Sequence, residues 1–244
     1  MRKAPKFAIV IPVYNHAPTV KSVIERACAL GLPVYVVDDG STDATSGILD
    51  SMQGFALLRH ERNRGKGAAL LTGFAAAAYE ADFAVTMDAD GQHDPSDAVS
   101  LMNALAYERP VLVVGKREGM LNDPSIQWTS RFGRKFSNFW VRLSGGPVLS
   151  DSQSGFRIYP IKETLALKSR ARRFQFEVEI LVLAHWHTIG VVELPVSVLY
   201  QPGAERISHF RPFVDFWRNA GTFGRLIVLR LLVPLSLRRR LTKR

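Results

Sequence analysis

The feature that most constrains this chain is a repeated pairing of a short apolar run, a turn of Pro, Asp or Gly, and a stretch with helical spacing. Phe7–Ile11 is such a run; it ends at Pro12 and precedes helical spacing over Thr19–Leu30, stopped by Gly31. Val34–Val37 ends in Asp38-Asp39-Gly40-Ser41 and leads to a helix over Thr42–Met52. Phe55–Leu58 precedes the Ala-rich Gly67–Tyr79. Phe83–Met87 ends in Asp88-Ala89-Asp90 and precedes Pro95–Tyr107, with Asp94 at its start. Val111–Val114 is one more run. Short runs with no polar alternation read as strands buried on both faces. Parallel strands need crossover helices, so the pattern predicts an α/β domain with a mainly parallel sheet covered on both faces.

The second half is less regular. Arg131–Leu143 reads as a basic, aromatic helix, Gly155–Tyr159 as a strand and Phe176–His187 as a helix. Val191–Tyr200 alternates like a strand, and Pro195 marks it as an edge or bulge. From Phe213 the chain changes character. Phe213, Phe216, Trp217, Ala220, Phe223, Ile227 and Leu231 recur at helical steps until Pro234, and Arg238-Arg239-Arg240 follows.

Charge follows the same division. The net charge is +10, and residues 204–244 hold ten Lys or Arg against two acids, so +8 of it lies there. A basic end on a near-neutral body implies an anionic partner. With an amphipathic helix in the same segment, the reading is an interfacial helix on an anionic membrane surface. The alternative is a C-terminal helix packed on the core with a solvated basic end. No nucleic-acid-binding pattern accompanies the charge. With a single cysteine among 244 residues, a disulfide framework and a Cys-rich zinc site are excluded, and a reducing compartment is expected. No apolar run reaches the ~18 residues of a membrane span.

The chemistry concentrates at strand ends. Ligands of open α/β sheets bind there. Asp88 and Asp90 flank Ala89 in one turn, and Gln92 follows, so these oxygens can face one hard cation such as Mg²⁺ or Mn²⁺. A turn that merely caps the next helix does not need them, because Asp94 stands before Pro95 for that purpose. Asp38 and Asp39 can accept from ribose hydroxyls or a base N–H. Asn63-Arg64-Gly65-Lys66-Gly67 opens a helix whose start can receive a phosphate, without P-loop spacing.

Ile11-Pro12-Val13-Tyr14-Asn15, Val37 to Asp43, Asn63 to Gly67 and Met87 to Pro95, in this order, resemble glycosyltransferase family 2 of the GT-A fold, a Rossmann-like architecture. Val114-Gly115-Lys116-Arg117 and Asp151-Ser152-Gln153-Ser154-Gly155-Phe156-Arg157 are similar to its dolichol-phosphate mannosyltransferase-like branch. The resemblance implies an inverting enzyme that uses a nucleotide diphosphate-sugar, a divalent metal and a lipid-linked acceptor, above all a polyprenyl phosphate. Pro12, Tyr14, Asp38, Asp39 and Ala89 would hold the donor, with Lys66 near its phosphates. Asp88, Asp90 and Gln92 would hold the metal. Arg117, Arg131, Lys135, Gln153 and Arg206 are candidates for the acceptor, with Arg117 also counted as catalytic beside Asp88 and Asp90. Arg157 either joins them or braces the Gln153 loop. The acceptor phosphate is already anionic, so no strong base is required; a hydroxyl acceptor would instead need Asp151, Glu177 or Glu179. Glu177 and Glu179 lie two apart on a helix and point to different faces. The implied organisation is a GT-A domain over 1–203 and a basic extension over 204–244, peripheral on the cytoplasmic face of a membrane. The Q-x-x-R-W signature of processive synthases is absent. A non-catalytic membrane protein with a relic site is the reading from another class.

Overall fold

The computed structural model describes residues 4–105, 109–117, 128–197 and 212–243. The first half runs β1 (Phe7–Val13), α1 (Val20–Cys28), β2 (Val34–Asp38), α2 (Thr45–Asp50), β3 (Ala56–Arg59), α3 (Lys66–Ala77), β4 (Phe83–Thr86), α4 (Ser96–Asn103) and β5 (Val111–Arg117). The second runs α5 (Trp128–Leu143), β6 (Arg157–Pro160), α6 (Ile161–Ala166), α7 (Phe176–Trp186), β7 (Gly190–Val196), α8 (Pro212–Leu232) and α9 (Leu235–Leu241). The described strands form one sheet in the order β3-β2-β1-β4-β6-β5-β7. Pairing is parallel except around β6, which lies antiparallel between β4 and β5.

Period-two alternation in β1 divides the core. Ala8 and Val10 face a layer with Leu70 and Phe74 of α3, Phe176 of α7 and Phe223 of α8. Ile9 and Ile11 face the other, with Val20 and Ile24 of α1, Leu49 of α2 and Leu101 of α4. Gly73 of α3 lies against β1: a Cβ there would fall 2.4 Å from Val10 Cγ1, so only glycine lets the helix seat this closely.

Two expectations shift for physical reasons. The helix expected from Thr42 starts at Thr45, because Asn15 Oδ1 accepts from the backbone N–H of Thr42 (2.7 Å) and Asp43 (3.4 Å) and holds them outside the helix. Asn15 does so from φ 53°, a left-handed conformation that asparagine tolerates. The strand expected over Val191–Tyr200 is β7, an edge strand; its Pro195 pairs in register with Lys116 and leaves its other side unpaired within the sheet.

Candidate active site

The chain leaves β1 toward β2 and β3 on one side, while β4 lies on the other. This reversal opens a crevice at the carboxyl ends of β1 and β4, the position where open α/β sheets take ligands. Pro12, Val13 and Tyr14 come from the β1 end, and Asp88, Ala89 and Asp90 from the β4 end. Thr19, just before α1, donates its hydroxyl to Ala89 O at 2.6 Å and pins the acidic turn. Gln92 N donates to Asp90 Oδ1 at 3.0 Å, which tightens the same turn. Asp94 stands one residue before Pro95, the N-cap of α4, and its Oδ1 accepts from Ser96 N at 3.0 Å and from Arg26 at 3.1 Å.

Lys66, the first residue of α3, reaches into this crevice. Its Nζ lies 2.6 Å from Asp88 Oδ1 and 2.7 Å from Glu177 Oε1. Burial by itself pushes the ammonium pKa down, but the two carboxylates outweigh it and raise it well above the ordinary lysine value. The reverse holds for Asp88: burial pushes it up, while Lys66 and then His93 hold it well below the usual carboxylate range. His93 Nε2 is 3.7 Å from Asp88 Oδ2, and its ring stacks on Phe156 at 5.0 Å between centroids. Gly155 floors the cluster. A Cβ there would lie 2.4 Å from Asp88 Oδ2 and 2.7 Å from Lys66 Nζ. Thr86 Oγ1 donates to Gly155 O at 2.8 Å and fixes that floor to β4.

Asp38 and Asp39 are each 2% exposed. Asp38 accepts from Ser41 N at 2.9 Å and Ser46 Oγ at 2.7 Å, and lies 3.6 Å from Arg59 Nε. Asp39 accepts from Arg64 N at 2.9 Å and Gly65 N at 2.7 Å, and pairs with His60 Nδ1 at 2.6 Å. Their present partners are the chain's own, so both carboxylates shape the turn and the 60–65 loop that border the crevice.

Arg117 ends β5 and grips Asp151 through Nε and Nη2 at 2.7 and 2.9 Å. Burial lowers its pKa, and the Asp151 bond and charge, with Asp88 and Glu177 nearby, raise it overall. Glu193 of β7 accepts from the backbone of Ser150 and Asp151, holding that loop in place. Gln153 is partly buried, with its Oε1 3.9 Å from where a Cβ on Gly133 of α5 would stand. Lys135 is exposed on α5. The Arg131 side chain and Arg206, with the 206–210 loop, lie outside the described residues.

Of the two expectations placed on Arg157, its contacts match the brace. It is fully buried, and its guanidinium donates to Ser154 O (2.6 Å), Ser152 O (2.8 Å) and Glu177 O (2.7 Å). It braces the 152–154 loop against α7. Glu177 and Glu179 also separate: Glu177 joins Lys66, whereas Glu179 faces the 169–171 segment, accepting from Ser169 Oγ and Ala171 N at 2.7 Å each. The roles of Glu177, His93 and Gly155 rest on contacts between distant segments. The sequence marks Glu177 as a candidate base and places His93 and Gly155 within motifs, without signalling the contacts that join them.

Among the described residues, no three His, Cys, Asp or Glu side chains converge as a preformed metal cluster. The crevice instead sets the Asp88 carboxylate of the acidic turn against the Lys66 ammonium, groups able to meet a hard cation and an anion respectively.

The sheet order, the reversal at β1 and β4 and the acidic turns define a GT-A glycosyltransferase fold. The structure of glucosyl-3-phosphoglycerate synthase from Mycobacterium tuberculosis, solved with Mg²⁺ and uridine diphosphate, matches with a TM-score of 0.66 at 22% identity, over 94% of this chain and 80% of that one. Residues 8–165 match the model for Glycosyl transferase family 2, and the chain belongs to that family of enzymes. It is 30% identical over 217 residues to UDP-N-acetylglucosamine–dolichyl-phosphate N-acetylglucosaminyltransferase of Methanococcus voltae, covering 79% of this chain and 85% of that protein. It is 26% identical over 209 residues to polyprenol monophosphomannose synthase of Mycolicibacterium smegmatis, covering 81% of this chain and 78% of that protein.

Proposed function

We propose that this enzyme transfers a sugar, with inversion, from a UDP- or GDP-sugar to a polyprenyl phosphate. The observation that carries the reading is the Lys66–Asp88–Glu177 cluster at the carboxyl ends of β1 and β4. There a lysine and a strand-end carboxylate share one crevice, as a metal-bound diphosphate leaving group requires. The relatives' names support the acceptor class: one is a dolichyl-phosphate N-acetylglucosaminyltransferase and the other a polyprenol monophosphomannose synthase.

The nucleoside would lie over Pro12 and Tyr14, bordered by the turn that Asp38 and Asp39 shape and by Ala89. Lys66 would turn from Asp88 toward the diphosphate, while Glu177 keeps hold of its ammonium. Asp88, Asp90 and Gln92 fit a divalent cation by their chemistry, being oxygen donors, and glycine at 155 keeps a Cβ away from the Asp88 carboxylate. Such an ion, Mg²⁺ or Mn²⁺, would neutralise charge developing on the leaving diphosphate. Arg117, with Arg131, Lys135, Gln153 and Arg206, would receive the acceptor, Arg117 being held in place by Asp151. Positioning and charge neutralisation would then supply the catalysis.

A phosphate acceptor suits the carboxylates better than a hydroxyl one. A hydroxyl must lose a proton to a base, yet Asp151 is bound to Arg117, Glu177 to Lys66, and Glu179 is buried against the 169–171 segment. Each of the three already holds a partner, which supports the phosphate reading.

A lipid acceptor also suits the tail, read here as a 204–244 extension of a 1–203 catalytic domain. Phe223 and Leu226 of α8 are buried in the core, and Phe223 stacks on Trp140 of α5 at 6.2 Å. The opposite side of α8 is apolar as well, with Trp217, Leu231 and Leu232 at 72, 75 and 76% exposed. A helix apolar on both sides needs a second apolar environment. With Arg239, Arg240 and Lys243 beyond it, an anionic membrane surface on the cytoplasmic side is the partner we assign. No described helix is long and apolar enough to cross a membrane.

Purified enzyme with Mg²⁺ or Mn²⁺, a panel of UDP- and GDP-sugars and polyprenyl phosphate in detergent tests the proposal. Nucleoside diphosphate release that requires both metal and lipid phosphate is expected. Release indifferent to the lipid phosphate would overturn the acceptor assignment.

A further inference from the structure

Glu179 is a fully buried carboxylate far along the chain from the acidic turns, yet it stands one link from the donor side of the crevice. Its Oε2 accepts from Ser169 Oγ and Ala171 N, and its Oε1 from Arg170 N at 3.3 Å. Its counter-ion is Arg225 of α8, whose Nη2 contacts Glu179 Oε1. Arg225 lies in sequence between Phe223 and Leu226, which are buried in the core beneath α8. The ion pair therefore fastens the tail helix to the 169–171 segment.

That segment runs on to Arg172 and Arg173, which lie against the Lys66 loop. Arg172 O accepts from Ala68 N at 2.8 Å, and Arg173 Nη1 donates to Asn63 Oδ1 at 2.9 Å. The fit leaves no slack. A Cβ on Gly65 would fall 2.6 Å from Arg172 O, and one on Gly67 would fall 2.4 Å from Phe176 Cβ. Movement of the 169–173 segment must carry the start of α3, and with it Lys66. Tightly packed elements transmit displacement in this way.

We propose that Arg225 and Glu179 are a positioning pair, through which the seating of α8 sets the placement of the Lys66 loop at the donor site. A buried ion pair is weak evidence for stability, since apolar residues of similar volume serve as well. Its position here, joining α8 to the strap that lies on the Lys66 loop, is what gives it a role. The link to donor binding rests on the function proposed above; the link between α8 and the loop does not.

Amide hydrogen exchange on the full chain tests the structural link. Arg225→Gln is expected to speed exchange at Ala171 and also at Ala68 by about fivefold or more, the lower bound of typical coupling between sites. Arg240→Gln, on exposed α9, is expected to leave both unchanged. Calorimetric titration with UDP and with GDP, each with Mg²⁺, tests the functional link. The dissociation constant of the nucleotide that the wild type binds is expected to rise about fivefold or more in Arg225→Gln, and Arg225→Lys is expected to recover most of it. If Arg225→Gln does not fold, the charge-neutral double variant Arg225→Met/Glu179→Gln carries the same two measurements. Faster exchange confined to α8 and Ala171, with Ala68 still protected, would overturn the proposal, as would an unchanged dissociation constant. If the wild type binds neither nucleotide, the donor reading fails, and the exchange at Ala68 alone decides the positioning pair.

Discussion

Substituting Gly155 by alanine isolates the placement of the reactive cluster from the stability of the fold. The new Cβ would sit 2.4 Å from Asp88 Oδ2, where ordinary contact begins near 3.4 Å, so the carboxylate must move by about 1 Å. Lys66 Nζ, at 2.7 Å, must move with it. Both are the far ends of flexible side chains, so backbone and core stay in place and the cost to folding is about 1 kcal/mol, the low end for over-packing. In a chain of this size that lowers Tm by about 2–4 °C. A 1 Å misplacement of catalytic groups costs on the order of 10²-fold in rate, or about 2.7 kcal/mol on the barrier. The assay is nucleoside diphosphate release under saturating acceptor, read as kcat/KM, beside a thermal melt. Wild-type kcat/KM in a folded Gly155→Ala enzyme would refute the argument that transfer depends on this placement. A Tm lowered by more than about 10 °C would refute the argument that only side-chain ends move.

Arg157→Met should strip hydrogen bonds from three buried carbonyls at about 1–3 kcal/mol each, lowering Tm by at least about 6 °C; a raised acceptor KM at unchanged Tm would restore Arg157 to the acceptor site. Asp94 is held below the usual carboxylate range chiefly by the Ser96 N–H bond, with Arg26 assisting. Its contribution to stability is therefore present above the unfolded-state value near pH 4 and is lost as pH falls through the lower folded value. Urea midpoints between pH 3 and 7 should accordingly fall less steeply toward acid in Asp94→Ala, and an identical slope would exclude Asp94 as a source of the acid limb. Leu231→Glu/Leu232→Glu should weaken sedimentation with anionic vesicles at least about tenfold, since both side chains face outward, while Tm holds; unchanged binding would remove α8 as the contact.

What the sequence made legible was local. Apolar runs and the turns after them placed β1, β2 and β4 within a residue or two, because a buried strand and its terminal turn are encoded by adjacent residues. The Asp88–Asp90 turn was readable for the same reason. The antiparallel insertion of β6 was not, since a four-residue strand carries no mark of its direction. The sequence leaves Arg157 between acceptor ligand and loop brace, because its burial depends on α7, which lies next to it only after folding. Glu177 and Glu179 were separable into two faces by helical geometry, but their partners, Lys66 and Arg225, come from distant segments. The apolar stripe of α8 was read as one face; in the fold Phe223 turns inward while Trp217 and Leu231 turn outward.

The two outermost strands bear on how such a chain tolerates crowding. β3 is only four residues long and ends in Arg59, and β7 carries Pro195, which has no N–H to offer a neighbour. Glu193, also on β7, is occupied with the Ser150–Asp151 loop. Among the described residues, neither border of the sheet presents an uninterrupted template for another copy to extend. On the membrane contact proposed for the tail, such borders would let copies accumulate at a surface without edge-to-edge pairing.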